Sequence, residues 1–181
     1  VEPVIEEESV TLEEAVAGKD RCEGVLEGKT CLVLGSGGVG KAIAYGLTRR
    51  KAQVVVTDGD GQRANQLAEK LECRHIDWSL RQAIPADIVV NCTPIGMHPN
   101  VDDTPYPKAH LKPTMVVFDA VYNPENTLLI KDARARNCRV VTGVDMFVRQ
   151  ACLQFKLFTG QDGPADLMRE VLKRATAATK V

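Results

Sequence analysis

The feature that most constrains the fold of this chain is a glycine cluster between an apolar run and a helical pattern. Residues 30–34, which are rich in leucine and valine, lead directly into Gly35, Gly37 and Gly40 with the spacing G-x-G-x-x-G. Residues 41–47 then place apolar side chains at helical intervals. A glycine turn between a strand and a helix is typical of dinucleotide-binding folds, in which the helix N-terminus faces a pyrophosphate. The sequence therefore predicts a nucleotide site at this loop.

The three glycines of the motif have different expected roles. Gly35 is expected to make the tight turn off the strand, because a residue without a Cβ atom adopts positive φ angles easily. Gly37 would leave room for the pyrophosphate, and Gly40 would let the helix lie close to the sheet. The predicted diphosphate-binding residues form one continuous loop: Gly35, Ser36, Gly37, Gly38, Val39 and Gly40.

Downstream of this loop, short apolar runs alternate with helical patterns. Further strands are predicted at residues 53–57, 74–77, 86–91, 115–119 and 139–141, and helices at about 62–71, 79–83 (capped by Ser79), 127–136, 145–158 and 164–175. Nearly continuous apolar strands separated by helices are typical of a parallel sheet covered on both faces. We therefore predict an α/β fold of the Rossmann type, a doubly wound parallel six-stranded sheet with strand order 3-2-1-4-5-6.

The domain is predicted to cover residues 30–181, preceded by a lead-in of helix and loop over residues 1–29. Thr11 and Glu14 have the S/T-x-x-E spacing of a capping box, so a short helix is expected after Thr11. The length of 181 residues suits one domain with its own core. Because the chain begins with valine, we expect it to be a piece of a longer protein.

The composition argues against several classes of function. The 23 basic and 24 acidic residues give a net charge of −1 and no excess of basic residues for nucleic acid. No apolar run reaches the roughly 20 residues that span a bilayer, and the acidic start is unlike a secretory signal. The six cysteines lack a C-x-x-C pair and the three histidines lack ligand spacing, which predicts reduced thiols and no metal site. We expect a cytoplasmic protein without a nucleic-acid or membrane partner.

Acidic residues follow the second predicted strand, where the adenosine of a dinucleotide would be recognised. Asp58 lies 18 residues beyond Gly40, close to the ~20 at which a carboxylate accepts hydrogen bonds from the ribose hydroxyls. Because a carboxylate there would repel a 2′-phosphate, these residues favour NAD over NADP. The alternative is that Asp58, Gly59 and Asp60 form a polar turn that caps the second helix. Arg63 is either a phosphate contact or an ordinary exposed arginine.

Polar residues also follow the other strands, at the edge of the sheet where ligands bind in this fold class. Asn91 and Thr93 follow the fourth strand, Tyr122 follows the fifth, and Gln150 lies early in the helix after the sixth. Reduction of a carbonyl by hydride needs a proton donor near neutral pH. His98 is the nearest such group and lies several residues outside these loops. We therefore assign no catalytic residue to this chain.

Four motifs in order carry a resemblance to a known family. They are residues 35–38 (GSGG), 91–97 (NCTPIGM), 119–124 (DAVYNP) and 143–151 (GVDMFVRQA). With these motifs, about residues 28–160 resemble shikimate dehydrogenase. The run MFVRQA, with FTG further on, is most similar to the bifunctional plant-type enzymes, in which a dehydroquinate dehydratase precedes the dehydrogenase. The resemblance implies reversible NAD(P)-dependent reduction of 3-dehydroshikimate, in the cytoplasm, or in a plastid if the source is a plant.

The resemblance also implies roles for individual residues. Residues 35–40 would bind the cofactor diphosphate, and residues 58–63 match the segment that contacts the adenosine phosphate. Tyr122 and Gln150 match positions that contact shikimate. The other cofactor contacts that we expect are Asn91, Cys92, Thr93, Ala120 and Gly143. The catalytic Lys–Asp pair of the family lies in an N-terminal substrate domain that residues 1–34 do not match, so this chain would be the cofactor half, inactive alone.

One departure from the family concerns the choice of cofactor. The family has Asn-Arg-Thr after the second strand, and its arginine binds the 2′-phosphate of NADP, whereas this chain has Asp58-Gly59-Asp60. NAD is thus favoured, although NADP is the family default. Three alternatives stay open: an NAD-dependent quinate/shikimate dehydrogenase, a non-catalytic NAD(P)-binding interaction module, and a methyltransferase, which also has an acidic residue after the second strand.

Overall fold

Six parallel strands form one sheet in the computed structural model, which describes residues 25–177. The strands are β1 Thr30–Leu34, β2 Gln53–Thr57, β3 Arg74–His75, β4 Ile88–Asn91, β5 Val116–Asp119 and β6 Arg139–Val141. Their order is β3-β2-β1-β4-β5-β6, and each neighbouring pair is parallel. The predicted α/β Rossmann-type fold and its strand order are confirmed. The helix predicted after Thr11 lies outside the described residues.

Five α-helices connect or follow the strands. They are α1 Gly38–Arg49, α2 Gly61–Leu71, α3 Leu128–Ala135, α4 Gly143–Thr159 and α5 Ala165–Ala177, with short 3-10 helices at Trp78–Ala83 and Lys108–His110. No helix in this part of the chain is long and apolar enough to cross a membrane.

The sheet is covered on both faces, as the alternation of side chains along a strand requires. Cys31 and Val33 of β1 face a core cluster that includes Ala44 of α1 and Leu67 of α2. The intervening side chains of β1, Leu32 and Leu34, face a second cluster, which α3 and the segment after β4 cover with Leu129, Tyr106 and Leu111. Leu26, at the end of the predicted lead-in, is buried in the first cluster. This two-layer cover leaves the carboxyl ends of the strands as the open edge.

Two predicted helix starts are wrong, and in both a side-chain cap decides the boundary. Helix α4 begins at Gly143 rather than 145, because Thr142 and Asp145 form a capping box: the Asp145 Oδ2 atom accepts hydrogen bonds from the Thr142 N–H (3.1 Å) and hydroxyl (2.8 Å). The helix predicted from Ser79 is a 3-10 helix capped by Asp77, whose carboxylate accepts from the Ser79 N–H at 2.8 Å.

The thiols in the described range are free. Cys31, Cys73, Cys92, Cys138 and Cys152 form no disulfide with one another. Burial, together with the nearby Asp87 carboxylate, raises the pKa of Cys31 to about 12, so this thiol stays protonated and packs as a small apolar side chain. No cluster of three His, Cys, Asp or Glu residues suited to a metal ion occurs within residues 25–177.

Candidate functional site

The glycine loop turns sharply at its first residue. Gly35 has a φ angle of +102°, and a Cβ atom there would lie 3.0 Å from the backbone carbonyl of Cys92 and from the Thr93 methyl group. The Gly35 N–H donates a 2.8 Å hydrogen bond to the Thr57 carbonyl, which ties the loop to the end of β2. The predicted role of Gly35 in the turn is therefore confirmed, and the residue also lets the loop approach β4 closely.

The third glycine brings the helix against the loop. A Cβ atom on Gly40 would overlap the carbonyl oxygen of Gly35, so only glycine fits where α1 crosses the loop. The predicted close packing at Gly40 is confirmed. Above Gly37 the space is open: the nearest atom to a Cβ built there is the Arg63 Nη2 atom, at 3.9 Å.

Helix α1 presents a free N-terminus at this open space. Asp60, Thr127 and Thr142 cap helices α2, α3 and α4 with their side chains, whereas the N-cap of α1 is Gly37 and no side chain caps it. The backbone N–H groups of a helix N-terminus and the positive end of its dipole favour an anionic ligand. The exposed residues of this turn are Gly38 and Val39.

The Asp58 carboxylate is fixed beside the loop by three hydrogen bonds. Its Oδ2 atom accepts from the Ser36 N–H (2.6 Å) and the Ser36 hydroxyl (2.7 Å), and its Oδ1 atom accepts from the Asp60 N–H (2.9 Å). Partial burial acts to raise the pKa of Asp58. The bonds from Asp60 and Ser36, with the Arg63 charge, outweigh it and hold the pKa below its ordinary value. The side chain is therefore ionised at neutral pH.

Asp60 caps α2, as the alternative interpretation of this turn predicted. The Asp60 Oδ1 atom accepts a 3.1 Å hydrogen bond from the Arg63 N–H at the start of α2. The two acidic residues therefore have different environments: Asp60 serves the helix, and Asp58 faces the glycine loop. Gly59 between them is exposed, and no atom lies within 4 Å of a Cβ built on it.

Asn91, which was expected to contact a cofactor, is instead part of a buried network. Its amide nitrogen donates to the Asp119 Oδ1 atom (2.9 Å) and the Ile95 carbonyl (3.3 Å), and its oxygen accepts from the Thr93 N–H (3.0 Å) and hydroxyl (2.7 Å). Because the amide is fully used and the residue is fully buried, its side chain has nothing left to offer a ligand, contrary to the sequence-based expectation. The Thr93 hydroxyl is likewise engaged, since it also accepts from the Ile95 N–H at 3.2 Å.

Asp119 is the centre of this network. Its Oδ1 atom also accepts from the Val121 N–H (3.0 Å), and its Oδ2 atom accepts from the Thr127 hydroxyl (2.6 Å). Burial raises the pKa of Asp119, although the bonds from Thr127, Val121 and Asn91 act in the opposite direction. The carboxylate thus joins the ends of β4 and β5 to the first turn of α3.

Cys92 fills the space between this network and the glycine loop. Its Cβ atom would lie 3.5 Å from a Cβ on Gly40. Burial, with the charge of Asp119 nearby, raises the pKa of the Cys92 thiol to about 12. The protonated thiol is a packing group against the loop.

An exposed aromatic pair follows β5 and reaches α4. The Tyr122 and Phe147 rings lie 5.1 Å apart between centroids with an interplanar angle of 43°, and both are about two-fifths exposed (39% and 40%). A Cβ on Gly143 would overlap the Val121 carbonyl oxygen and lie 2.7 Å from that of Ala120, so α4 starts tight against this loop. Gln150 is exposed one turn beyond Phe147 on α4. The structure therefore brings Tyr122, Gln150 and Phe147 to one corner, although Phe147 was not among the predicted site residues.

Comparison with known proteins identifies the family. The model of the family described as shikimate 5′-dehydrogenase C-terminal domain matches residues 143–173, and that of NADP oxidoreductase, coenzyme F420-dependent, matches residues 30–120. The chain is 40% identical over 152 residues to the chloroplastic bifunctional 3-dehydroquinate dehydratase/shikimate dehydrogenase of Arabidopsis thaliana, covering 82% of this chain and 25% of that protein. It is 39% identical over 158 residues to the shikimate dehydrogenase (NADP(+)) of Archaeoglobus fulgidus, covering 83% and 58%. The chain belongs to the shikimate dehydrogenase family.

Solved structures of shikimate and quinate dehydrogenases share the fold. The quinate dehydrogenase of Corynebacterium glutamicum in complex with NAD superposes with a TM-score of 0.73 at 35% identity, over 80% of this chain and 54% of that one. The shikimate 5-dehydrogenase of Thermus thermophilus in complex with NADP(H) and shikimate gives a TM-score of 0.73 at 33% identity, over 83% and 56%. The chain thus spans about half the length of these relatives and a quarter of the bifunctional Arabidopsis protein.

A helical spacing could have revealed Phe147 as part of the shikimate dehydrogenase site. It lies three residues before Gln150, and residues three apart on a helix share a face. The MFVRQA run contains both residues. The pairing of Ser36 with Asp58 has no such signal, because 22 residues separate them.

Proposed function

We propose that this chain is the cofactor-binding half of a shikimate dehydrogenase, which reversibly reduces 3-dehydroshikimate to shikimate with a nicotinamide dinucleotide. The observation that supports this best is one sheet edge that carries an open glycine loop, an ionised Asp58 and the exposed Tyr122, Phe147 and Gln150. The similarity to the Arabidopsis protein supports a further step, that a dehydroquinate dehydratase precedes the dehydrogenase on one chain.

The loop and Asp58 are assigned to the adenosine diphosphate part of the cofactor. The backbone N–H groups of residues 37–40 donate to the diphosphate at the uncapped end of α1. A carboxylate has about four acceptor positions, and the three bonds to Asp58 leave one on Oδ1 for a ribose hydroxyl. The Arg63 guanidinium, which lies near Gly37, neutralises part of the diphosphate charge.

The corner formed by β5 and α4 is assigned to the nicotinamide and the substrate. Ala120 and Gly143 border the nicotinamide, while the Tyr122 hydroxyl and the Gln150 amide orient the substrate. The bound dinucleotide supplies the hydride when it is present. Asn91, Cys92 and Thr93 act indirectly in this scheme, since they hold the strand ends and the loop in place.

NAD is proposed as the preferred cofactor. The Asp58 carboxylate is ionised and cannot swing away without breaking its bonds to Ser36 and Asp60, so a 2′-phosphate would meet a fixed negative charge. Gly59 adds no positive charge. Arg63 alone favours the phosphate, and it also faces the diphosphate, which both cofactors carry.

Titration of this chain with NADH and NADPH, followed by nicotinamide fluorescence, tests the proposal. We expect both to bind, NADH more tightly, and no oxidation of shikimate by the 181 residues alone. A version extended upstream to the length of the Archaeoglobus relative should oxidise shikimate. Oxidation by the short chain would overturn the division of labour, and an extended chain that binds cofactor without turnover of shikimate or quinate would identify a non-catalytic module. Quinate oxidation faster than shikimate oxidation would select the quinate/shikimate alternative, while family membership leaves no support for a methyltransferase.

A further inference from the structure

Helix α4 has apolar side chains on two opposite faces. Its inner face, formed by Val144, Val148 and Cys152, packs against Leu172 and Met168 of α5. Its outer face, defined as Phe147, Leu153, Leu157 and Phe158, is exposed: Leu153 is 65%, Leu157 81% and Phe158 83% accessible. A helix that is apolar all round is normally buried on every side, and soluble proteins rarely expose contiguous apolar patches. The outer face of α4 is therefore expected to have a partner.

The outer face continues the face that carries the substrate-contacting corner. Gln150 and Leu157 are seven residues apart, and Phe147 and Phe158 are eleven apart. Both spacings return to nearly the same side of an α-helix, because each residue advances by about 100°. A surface that approaches a substrate held at Gln150 and Tyr122 thus meets Leu157 and Phe158 about two turns further along.

We propose that the outer face of α4 docks the substrate half of the same enzyme. The occupant is the segment that the Archaeoglobus and Thermus relatives carry and that has no counterpart here, since the chain covers only 58% and 56% of those proteins. This inference rests on the proposed function. A second copy of the chain is the less suitable occupant, because a copy seated on this face would also cover Gln150 and Phe147 and block the substrate.

The docking contact would fix the geometry of the cleft. The inner face holds α4 to its own half through α5, and the tight start at Gly143 holds it to the loop that carries Tyr122. With the outer face held by the other half, α4 is a rigid bridge between the two. Its first turns position the substrate, and its last turns join the halves.

Cysteine labelling of the short and the extended chains tests this contact. Leu157→Cys introduces a thiol on the outer face, and Leu80→Cys is the matched control. Leu80 is 56% exposed and lies after β3, at the opposite edge of the sheet from α4. A cysteine reacts only where it is accessible, so we expect Cys at 157 to react with a maleimide at least about tenfold more slowly in the extended chain than in the short one. The control should react equally in both, with each site read by peptide mass spectrometry.

Three results would overturn the inference or separate it from the proposed function. Equal reactivity of Leu157→Cys in both chains, in an extended enzyme that oxidises shikimate, would refute the docking contact and leave the function intact. Protection that grows with protein concentration, together with dimers of the short chain that Leu157→Glu dissociates, would make a second copy the occupant. Protection in an extended chain without shikimate or quinate turnover would support the contact and refute the function.

Discussion

Replacing Asp58 and Gly59 together should invert the choice between NAD and NADP. The double variant Asp58→Asn/Gly59→Arg removes the fixed carboxylate and adds a guanidinium. The structure allows the arginine, because a Cβ at Gly59 meets no atom within 4 Å and the residue does not need a positive φ angle. Asparagine at position 58 keeps an oxygen for the Ser36 N–H and hydroxyl, which now donate to Asp58 Oδ2.

The expected size of the change follows from two electrostatic contributions. Two unit charges about 5 Å apart at an effective dielectric of about 20 interact by roughly 3 kcal/mol, and partial exposure of Asp58 reduces its repulsion of a 2′-phosphate to about 1–2 kcal/mol. An exposed arginine–phosphate pair adds about 1 kcal/mol. The sum of about 2–3 kcal/mol corresponds to a change of roughly 30- to 150-fold in the ratio of the two dissociation constants.

Fluorescence titration of NADH and NADPH into the short chain measures this ratio directly. Asp58→Asn/Gly59→Gln is the control, because glutamine fills similar space without a charge and should give only the part due to Asp58. If the double variant with arginine leaves the ratio within about threefold of the original chain, charge at this turn does not select the cofactor. The reasoning from Asp58 would then be refuted.

Three further variants test other parts of the site. Gly40→Ala should destabilise the chain by about 3 kcal/mol or more in urea unfolding, because its methyl group would overlap the Gly35 carbonyl. The control Gly46→Ala, in the middle of the same helix with its nearest neighbour at 3.7 Å, should be neutral or stabilise by up to about 1 kcal/mol. Ser36→Ala removes one charge-assisted hydrogen bond to Asp58 and should weaken NADH binding several-fold but NADPH binding less; equal losses would show that Ser36 acts only on folding. Asp119→Asn tests the raised pKa of the buried carboxyl: the original chain should lose stability relative to this variant as pH rises above the ordinary value of 3.8 and through the raised native value, and parallel stability curves between pH 5 and 7 would contradict the buried charge.

The order of the strands was predictable from the sequence, whereas the polar partners at their ends were not. Short apolar runs alternating with helices leave few arrangements of a parallel sheet, and the glycine motif fixes where the chain turns back. Helix starts depend on a single side-chain hydrogen bond, which is why Thr142 and Asp77 moved two boundaries. Side-chain partners far apart in sequence, such as Ser36 and Asp58, follow only from the three-dimensional arrangement.

The fate of Asn91 shows why a motif residue at a ligand edge is easily mistaken for a ligand contact. The carboxyl ends of β4 and β5 expose backbone groups that must be held open for a ligand, and a buried side chain achieves this by bonding across the two strand ends. Asn91 and Asp119 are paired in register on neighbouring strands, and Thr127 links them to α3. A substitution at Asn91 would leave a buried carboxylate and two N–H or O–H donors without a partner, at a cost of about 1–3 kcal/mol for each unsatisfied group. The constraint on this motif is therefore explained by the support of the site, and the surface that meets the ligand is formed by the loops it supports.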